Sequence, residues 1–249
     1  MTEPLLLIDG DEIIWRVAAA LEKETQWDEQ NWVLWSNAEE VWQEATAAVA
    51  RLFDRFGSQR HALAFTGRNN FRKTIEPTYK ANRTGKRKPM CYAVLRERCL
   101  ETFNCVSHEG LEADDVMGIL ATKPGAQRRI ICGQDKDFKS VPCEHWDGKD
   151  LVSYSSDEAD LAHLMQTLTG DAADGYKGCP GIGPAKAAKV LEKGPFWCEV
   201  VNAYRKAGLN EAEALTQARL ARILRWTDWD SENRKPILWT PPSSTGSQN

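Results

Sequence analysis

Nine carboxylates in four short clusters are the residues of this 249-residue chain whose types and spacing could do chemistry. Asp9 and Asp11 follow the apolar run 5–8. Glu112, Asp114 and Asp115 open the apolar run 116–121, Asp135 and Asp137 follow the run 130–132, and Asp171 and Asp174 stand three apart after Gly170. Strand tips at the carboxyl edge of a parallel sheet are where sites form, and helix starts tolerate negative charge. Gathered in one place, such groups repel: a pair 5 Å apart costs about 3 kcal/mol at an effective dielectric near 20. An all-oxygen set of this kind asks for a hard divalent ion, Mg²⁺ or Mn²⁺. Two such ions roughly 4 Å apart can activate a water and stabilise the leaving 3′ oxygen of a phosphodiester. One Asp in any of these places is an ordinary cap or surface charge; the set is not.

A second group of residues supplies the opposite charge. Segment 68–88 holds eight Lys or Arg against the single acid Glu76, a local +7. Arg68, Arg72, Lys73, Lys80, Arg83, Lys86, Arg87 and Lys88 run through it with Phe71 and Tyr79 between them, a composition suited to a phosphate backbone beside a stacked base. Further on, Gly181, Ile182 and Gly183 precede Pro184, Lys186 and Lys189. Glycines let backbone amides approach a phosphate, proline starts the next helix, and the lysines add charge. Segment 22–44 is acidic instead, with seven acids against Lys23, and carries Trp27, Trp32, Trp35 and Trp42. A base-stacking platform wants basic neighbours, so these rings are expected to be packing residues of a local core.

These groups need elements to hold them. Short apolar runs at 5–8, 61–65, 105–107 and 130–132 read as buried strands, with shorter candidates at 143–146 and 151–154. Helical periodicity covers 13–21, 38–56, 90–103, 116–121, 157–169, 196–206 and 210–226. The alternation predicts an α/β fold with a doubly wound parallel sheet over residues 1–169. A basic arch loop at about 67–90, a helical DNA-binding region at 170–240 built on a helix-hairpin-helix, and a disordered polar tail at 241–249 complete the expected organisation.

Composition bounds the rest. Hydrophobic content of 42% and charged content of 27% are those of an ordinary soluble protein. No apolar run approaches the roughly 18 residues of a membrane span, and the N-terminus lacks the basic start of a signal peptide, so a cytoplasmic protein is expected. Seven cysteines with no Cys-x-x-Cys pair fit reduced thiols rather than disulfides or zinc. The net charge of −4 hides a polarised distribution: without the nine clustered carboxylates it becomes +5.

From 5 to about 239 the chain resembles the 5′-nuclease superfamily, which includes flap endonucleases and the 5′ nuclease domains of bacterial DNA polymerases, and within it the replication exonucleases of short-tailed bacteriophages. The resemblance rests on Ile8-Asp9-Gly10-Asp11, Phe71-Arg72-Lys73, Tyr79-Lys80-Ala81-Asn82-Arg83, Leu111-Glu112-Ala113-Asp114-Asp115, Gln134-Asp135-Lys136-Asp137-Phe138, Gly170-Asp171 with Asp174, and Gly181-Ile182-Gly183. Ala221-Arg222-Ile223-Leu224-Arg225 and Leu238-Trp239 resemble the phage branch.

The resemblance implies a metal-dependent 5′→3′ exonuclease acting on double-stranded DNA in replication or recombination, with flap cutting, RNA-primer removal and RNA–DNA hybrids as possible extensions. It implies that Asp9, Glu112, Asp114 and Asp115 hold one ion and that Asp135, Asp137, Asp171 and Asp174 hold the second, with Asp115 near both. Lys80 and Arg83 are implied at the base of the arch, against the scissile phosphate or the 5′ end, with Arg72 steadying the phosphate. The loop around Gly181–Lys189 is implied to grip the duplex, with K⁺ on its carbonyls. One departure stands out: the family carries an aspartate after the second strand, whose place is assigned here to Gly67, with Asp11 or a water as its substitute. Two other readings remain: a DNA-structure-binding protein weakened in catalysis, and a haloacid-dehalogenase-type phosphatase using Asp9 and Asp11.

Overall fold

Residues 5–8 are apolar throughout because the strand they form is covered on both faces. The computed structural model describes residues 3–242. β1 (Leu5–Asp9) runs directly into α1 (Gly10–Ala20); an antiparallel hairpin, β2 (Lys23–Gln26) and β3 (Trp32–Trp35), leads to α2 (Ala38–Phe56) and β4 (His61–Ala64). Next come the short α3 (Arg72–Ile75), α4 (Tyr92–Thr102), β5 (Cys105–Val106), α5 (Ala113–Ala121), β6 (Arg129–Cys132), β7 (Glu144–Trp146) and β8 (Leu151–Ser153). Four helices close the chain: α6 (Ser156–Thr169), α7 (Pro184–Val190), α8 (Trp197–Lys206) and α9 (Glu211–Ala221).

Six strands form one sheet in the order β5-β4-β1-β6-β7-β8. All neighbours are parallel except the edge strand β8, which is antiparallel to β7. The period of two along β1 sends Leu6 and Ile8 to a core shared with α1, α2 and α4, and Leu7 to a second core under α5 and residues 223–229. Strand order reverses between β1 and β6, so a crevice opens beyond their carboxyl ends. Asp9 ends one of those strands and Asp135 follows the other.

Two expectations are revised. The tryptophans of 27–35 are not core: they sit on the β2–β3 hairpin, where Trp27, Trp32 and Trp35 are 75, 56 and 45% exposed. Among the described residues the short Trp32–Trp35 run pairs only with Lys23–Gln26, and no further layer covers it; Trp42, on α2, does pack against the core. The helical region also starts earlier than 170, since Leu164 and Leu168 of α6 join the cluster made by α7, α8 and α9. All seven cysteines are free. Of the tail 241–249, all but Pro241 and Pro242 lies outside the described residues, among which no helix is long and apolar enough to cross a membrane.

Candidate active site

The crevice is a cavity of about 630 Å³ walled by Asp9, Asp11, Glu112, Asp114, Asp135, Asp137, Asp171 and Asp174. Local structure explains how so many carboxylates are held apart and aimed. Asp9 Oδ1 caps α1 through the Glu12 amide at 2.8 Å. Asp135 Oδ1 accepts from the Asp137 amide at 2.8 Å, and Asp171 Oδ1 from the Ala173 amide at 2.7 Å. Each cap engages one oxygen of its carboxylate, a geometry that leaves the other for the cleft. Gly10 permits the abrupt turn from β1 into α1: a Cβ there would lie 2.7 Å from the Phe65 ring.

Burial and mutual repulsion set the electrostatics. Burial first, then the charges of Glu12, Asp11 and Asp135, push Asp9 up to about 7. Asp114 is raised well above the ordinary carboxylate range by burial and by Asp9, Asp135 and Glu112. Burial, then Asp135 and Asp171, lift Asp137 to about 6 against a 2.8 Å hydrogen bond from Gln166 Nε2. Glu112 behaves oppositely: burial opposes its charge, but Arg72 and Lys80 overcome it and hold the group at about 2. Lys80 Nζ lies 2.5 Å from Glu112 Oε1 and 3.4 Å from Asp174 Oδ2, while Arg83 Nη2 lies 2.7 Å from Asp174 Oδ1. Both cations expected at the phosphate therefore reach the cleft.

Several expected ligands and contacts are placed differently. Asp115 is fully buried rather than on the cavity wall; its oxygens accept from Arg72 at 2.7 Å each and from the Leu224 amide at 3.1 Å. Arg72, expected to steady a phosphate, is 3% exposed, and its donors are committed to Asp115, Glu112 and the Leu220 and Arg222 carbonyls. A guanidinium has five N–H donors, so none is left for substrate. Tyr79, expected to stack a base, is 2% exposed and its hydroxyl contacts Glu112 and Asp174 at 3.0 Å each. Phe71 is buried in the core under α5.

Gly67, to which the absent aspartate is assigned, offers no place for a carboxylate. A Cβ on Gly67 would lie 2.0 Å from the His108 carbonyl oxygen, so this residue has no room for a side chain. Thr66 lines the cavity instead, and its Oγ1 accepts from the Ala113 amide at 3.1 Å. Asp11 reaches the same spot from α1, accepting from the Thr66 amide at 2.7 Å and the Tyr92 hydroxyl at 2.6 Å. Its carboxylate thus stands at the tip of β4.

A divalent ion suits this donor set chemically. The wall is rich in carboxylate oxygens, and the raised Asp9, Asp114 and Asp137 carry a penalty for burial and crowding that a cation relieves. Among the described residues no three acidic, His or Cys side chains already converge on one ion-sized point. Lys80 and Arg83 occupy Glu112 and Asp174 in that arrangement.

Of the expected DNA contacts, Arg68, Lys73, Lys86, Lys186 and Lys189 are exposed. Arg87 is bound to Glu22 at 2.5 Å, and Lys88 sits 4.0 Å above the Tyr92 ring. Gly181, at φ +72°, and Gly183 flank Ile182 in an exposed loop with open space around both glycines. The Gly181 carbonyl, an expected K⁺ ligand, accepts from Lys186 Nζ at 2.9 Å. Sequence reasoning missed Trp15, Tyr92, Gln166 and Tyr176 on the cavity wall. Trp15 and Gln166 lie in helical runs where spacing does not separate core from cleft.

Comparisons with known proteins show the family and the fold. A family model described as "5'-3' exonuclease, N-terminal resolvase-like domain" matches residues 4–163. The chain is 30% identical to the exodeoxyribonuclease of Enterobacteria phage T3, covering 96% of this chain and 93% of that one. It is 28% identical to the exonuclease of Escherichia phage T7, covering 95% and 93%. Its fold is similar to that of the bacteriophage T5 D15 flap endonuclease in a structure with DNA and metal ions, with a TM-score of 0.65, 13% identity and coverage of 88% and 89%.

Proposed function

The chain belongs to the 5′–3′ exonuclease family, and from that premise we propose that its carboxylate cleft cuts double-stranded DNA from a 5′ end or flap. It is a 5′–3′ nuclease hydrolysing phosphodiester bonds. Removal of RNA primers from RNA–DNA hybrids is a further proposed activity. The observation that carries this reading is the crowding of Asp9, Asp114 and Asp135 at the strand-order reversal, with Lys80 beside them.

Asp9, Asp114, Glu112 and Asp135 would hold one divalent ion, and Asp137, Asp171 and Asp174 with Asp135 a second, Mg²⁺ or Mn²⁺. Asp11 would complete the first set from the tip of β4. Bound there, such ions activate water and stabilise the leaving 3′ oxygen. The protein's own groups orient the strand. Lys80, kept charged by Glu112 and Asp174 against the effect of burial, presents an ammonium that a phosphate oxygen can share. Arg83 adds a second, more exposed cation. Arg72 acts indirectly: by fixing Asp115 and Glu112 it locks the start of α5, on which Asp114 stands. Lys186, Lys189 and the loop at Gly181–Gly183 lie in the separate helical region, suited to duplex backbone beyond the cut. K⁺ at that loop would have to displace Lys186 from the Gly181 carbonyl.

The other readings gain no support. Asp11 is tied to Thr66 and Tyr92 rather than paired with Asp9 as a phosphatase acid. A mere binder would not need the remaining carboxylates on the wall. Calorimetric titration of Mn²⁺ into the wild type and Asp135→Asn, alongside cleavage assays, tests the reading. Loss of at least one binding event together with cleavage is expected; wild-type binding by the variant would contradict it.

A further inference from the structure

Three arginines line a second cavity next to the cleft. Arg16 on α1 and Arg51 and Arg55 on α2 border a space of about 330 Å³ with Trp146 and Gly148 at the end of β7. It adjoins the catalytic cleft, because Glu12, Arg16 and Gln134 contribute to the walls of both. The position is therefore at the carboxyl edge of the sheet, on the side covered by α1 and α2. Arg51 and Arg55 are one helical turn apart, so they share a face.

The state of these guanidiniums contrasts with that of Arg72. Arg55 has no ion pair or side-chain hydrogen bond among the described residues, and its guanidinium carbon lies 3.5 Å from the centre of the Trp146 ring. Stacking of this kind fixes the plane of the group and leaves its N–H edge available. Among the described residues Arg51 pairs only with the exposed Glu44, and Arg16 only with Glu12 at 3.6 Å. Exposed pairs of this sort are weak and yield readily to a better anion. A preorganised, incompletely neutralised arginine cluster beside a phosphodiesterase cleft fits a phosphate group by charge and geometry.

We propose that the Arg16–Arg51–Arg55 cavity is a phosphate-binding site that holds the backbone of the DNA substrate where it leaves the catalytic cleft. This rests on the nuclease reading above. A phosphate could come from two sources, the bound strand or the released 5′-mononucleotide, and the test separates them.

The test uses the full-length wild type, Arg51→Gln/Arg55→Gln and Arg51→Lys/Arg55→Lys. Binding of a fluorescent duplex is followed by anisotropy in EDTA across a NaCl series, with inhibition by a deoxynucleoside 5′-monophosphate and steady-state cleavage measured in Mg²⁺. The Gln variant is expected to lower the slope of log affinity against log salt by about 2, one unit for each phosphate that is no longer neutralised. Its KM should rise with kcat held, and the Lys variant should recover most of the slope. Thermal melting identifies a misfolded variant; in that case Arg51→Gln alone carries the test, with a slope lower by about 1. An unchanged slope with weaker mononucleotide inhibition overturns assignment to the strand, and no change in either overturns the site. Wild type that binds with the expected slope but does not cleave defeats the nuclease reading instead, leaving the two failures distinct.

Discussion

Arg72 and Asp115 form a buried two-point pair, with Nη1–Oδ2 and Nη2–Oδ1 both 2.7 Å, at the back of the catalytic cleft, where Arg72 reaches the wall and Asp115 does not. The pair links the basic segment, the start of α5 and residues 220–224, because the same two side chains also engage the Leu220 and Arg222 carbonyls and the Leu224 amide. Through these contacts the pair holds Glu112 and the start of α5, which carries Asp114.

Breaking that pair from one side leaves a buried charge without its partner. Arg72→Met or Asp115→Asn should therefore lower stability by about 3–5 kcal/mol in urea unfolding. Arg72→Lys should rescue little, since an ammonium cannot reproduce the two-point geometry. A loss under about 1 kcal/mol in either variant would show that the pair is not holding this part of the fold.

Gly67→Asp should destabilise the protein without improving metal affinity, because its Cβ meets the His108 carbonyl at 2.0 Å. Asp11→Asn should weaken Mn²⁺ binding in calorimetry while Thr66→Asp strengthens it. Equal affinity in the wild type and Asp11→Asn would remove Asp11 from the ligand set.

In EDTA, stability should rise as pH falls from 8 to 6.5. Asp9 is raised to about 7 in the folded protein, so the folded state takes up a proton that an unfolded carboxyl, with a pKa near 4, does not. Stability is therefore lost as pH rises through 7. Buried His163, lowered to about 3, acts in the opposite direction, but only as pH falls through its unfolded value near 6.5. Melting temperatures in this window should show the rise, and Asp9→Asn should flatten it. A wild-type curve that is flat or falls on acidification would contradict the assignment.

Removing the Lys80 ammonium should act on turnover more than on duplex binding. Lys80→Met is expected to lower kcat by roughly 10²–10³-fold, the scale seen when one preorganised donor to developing charge is lost. Lys186→Gln/Lys189→Gln should do the reverse, reducing the salt slope of duplex binding by about 2 with kcat largely retained. Exchange of these two phenotypes would mean that the cleft and the helical region have been assigned the wrong roles.

The strands at 5–9, 61–64 and 129–132 were legible because fully buried parallel strands are apolar on both faces. The acidic clusters were legible because each follows a strand or opens a helix. What was not legible depended on direction. Asp114 and Asp115 are adjacent in sequence, yet α5 turns the first to the cleft and the second to Arg72. Tyr79 and Lys80 diverge in the same way: the Tyr79 ring is buried between core and carboxylates, while the Lys80 ammonium reaches Glu112. The hairpin tryptophans were misplaced because aromatic content signals burial only when another layer exists to cover it. Which of Thr66 and Gly67 faces the cavity was not legible either, since only the backbone path shows that Thr66 lines it and that Gly67 has no room for a side chain.

Under the proposed function, the carboxylate cleft makes this chain a metal-dependent nuclease of defined polarity. A time course on a blunt duplex labelled at the 5′ end of one strand and the 3′ end of the other, with Mg²⁺ or with EDTA, tests it most directly. The 5′ label is expected to be released first, only with Mg²⁺, and not at all by Asp135→Ala. Release beginning at the 3′ label, or persisting in EDTA, would contradict it.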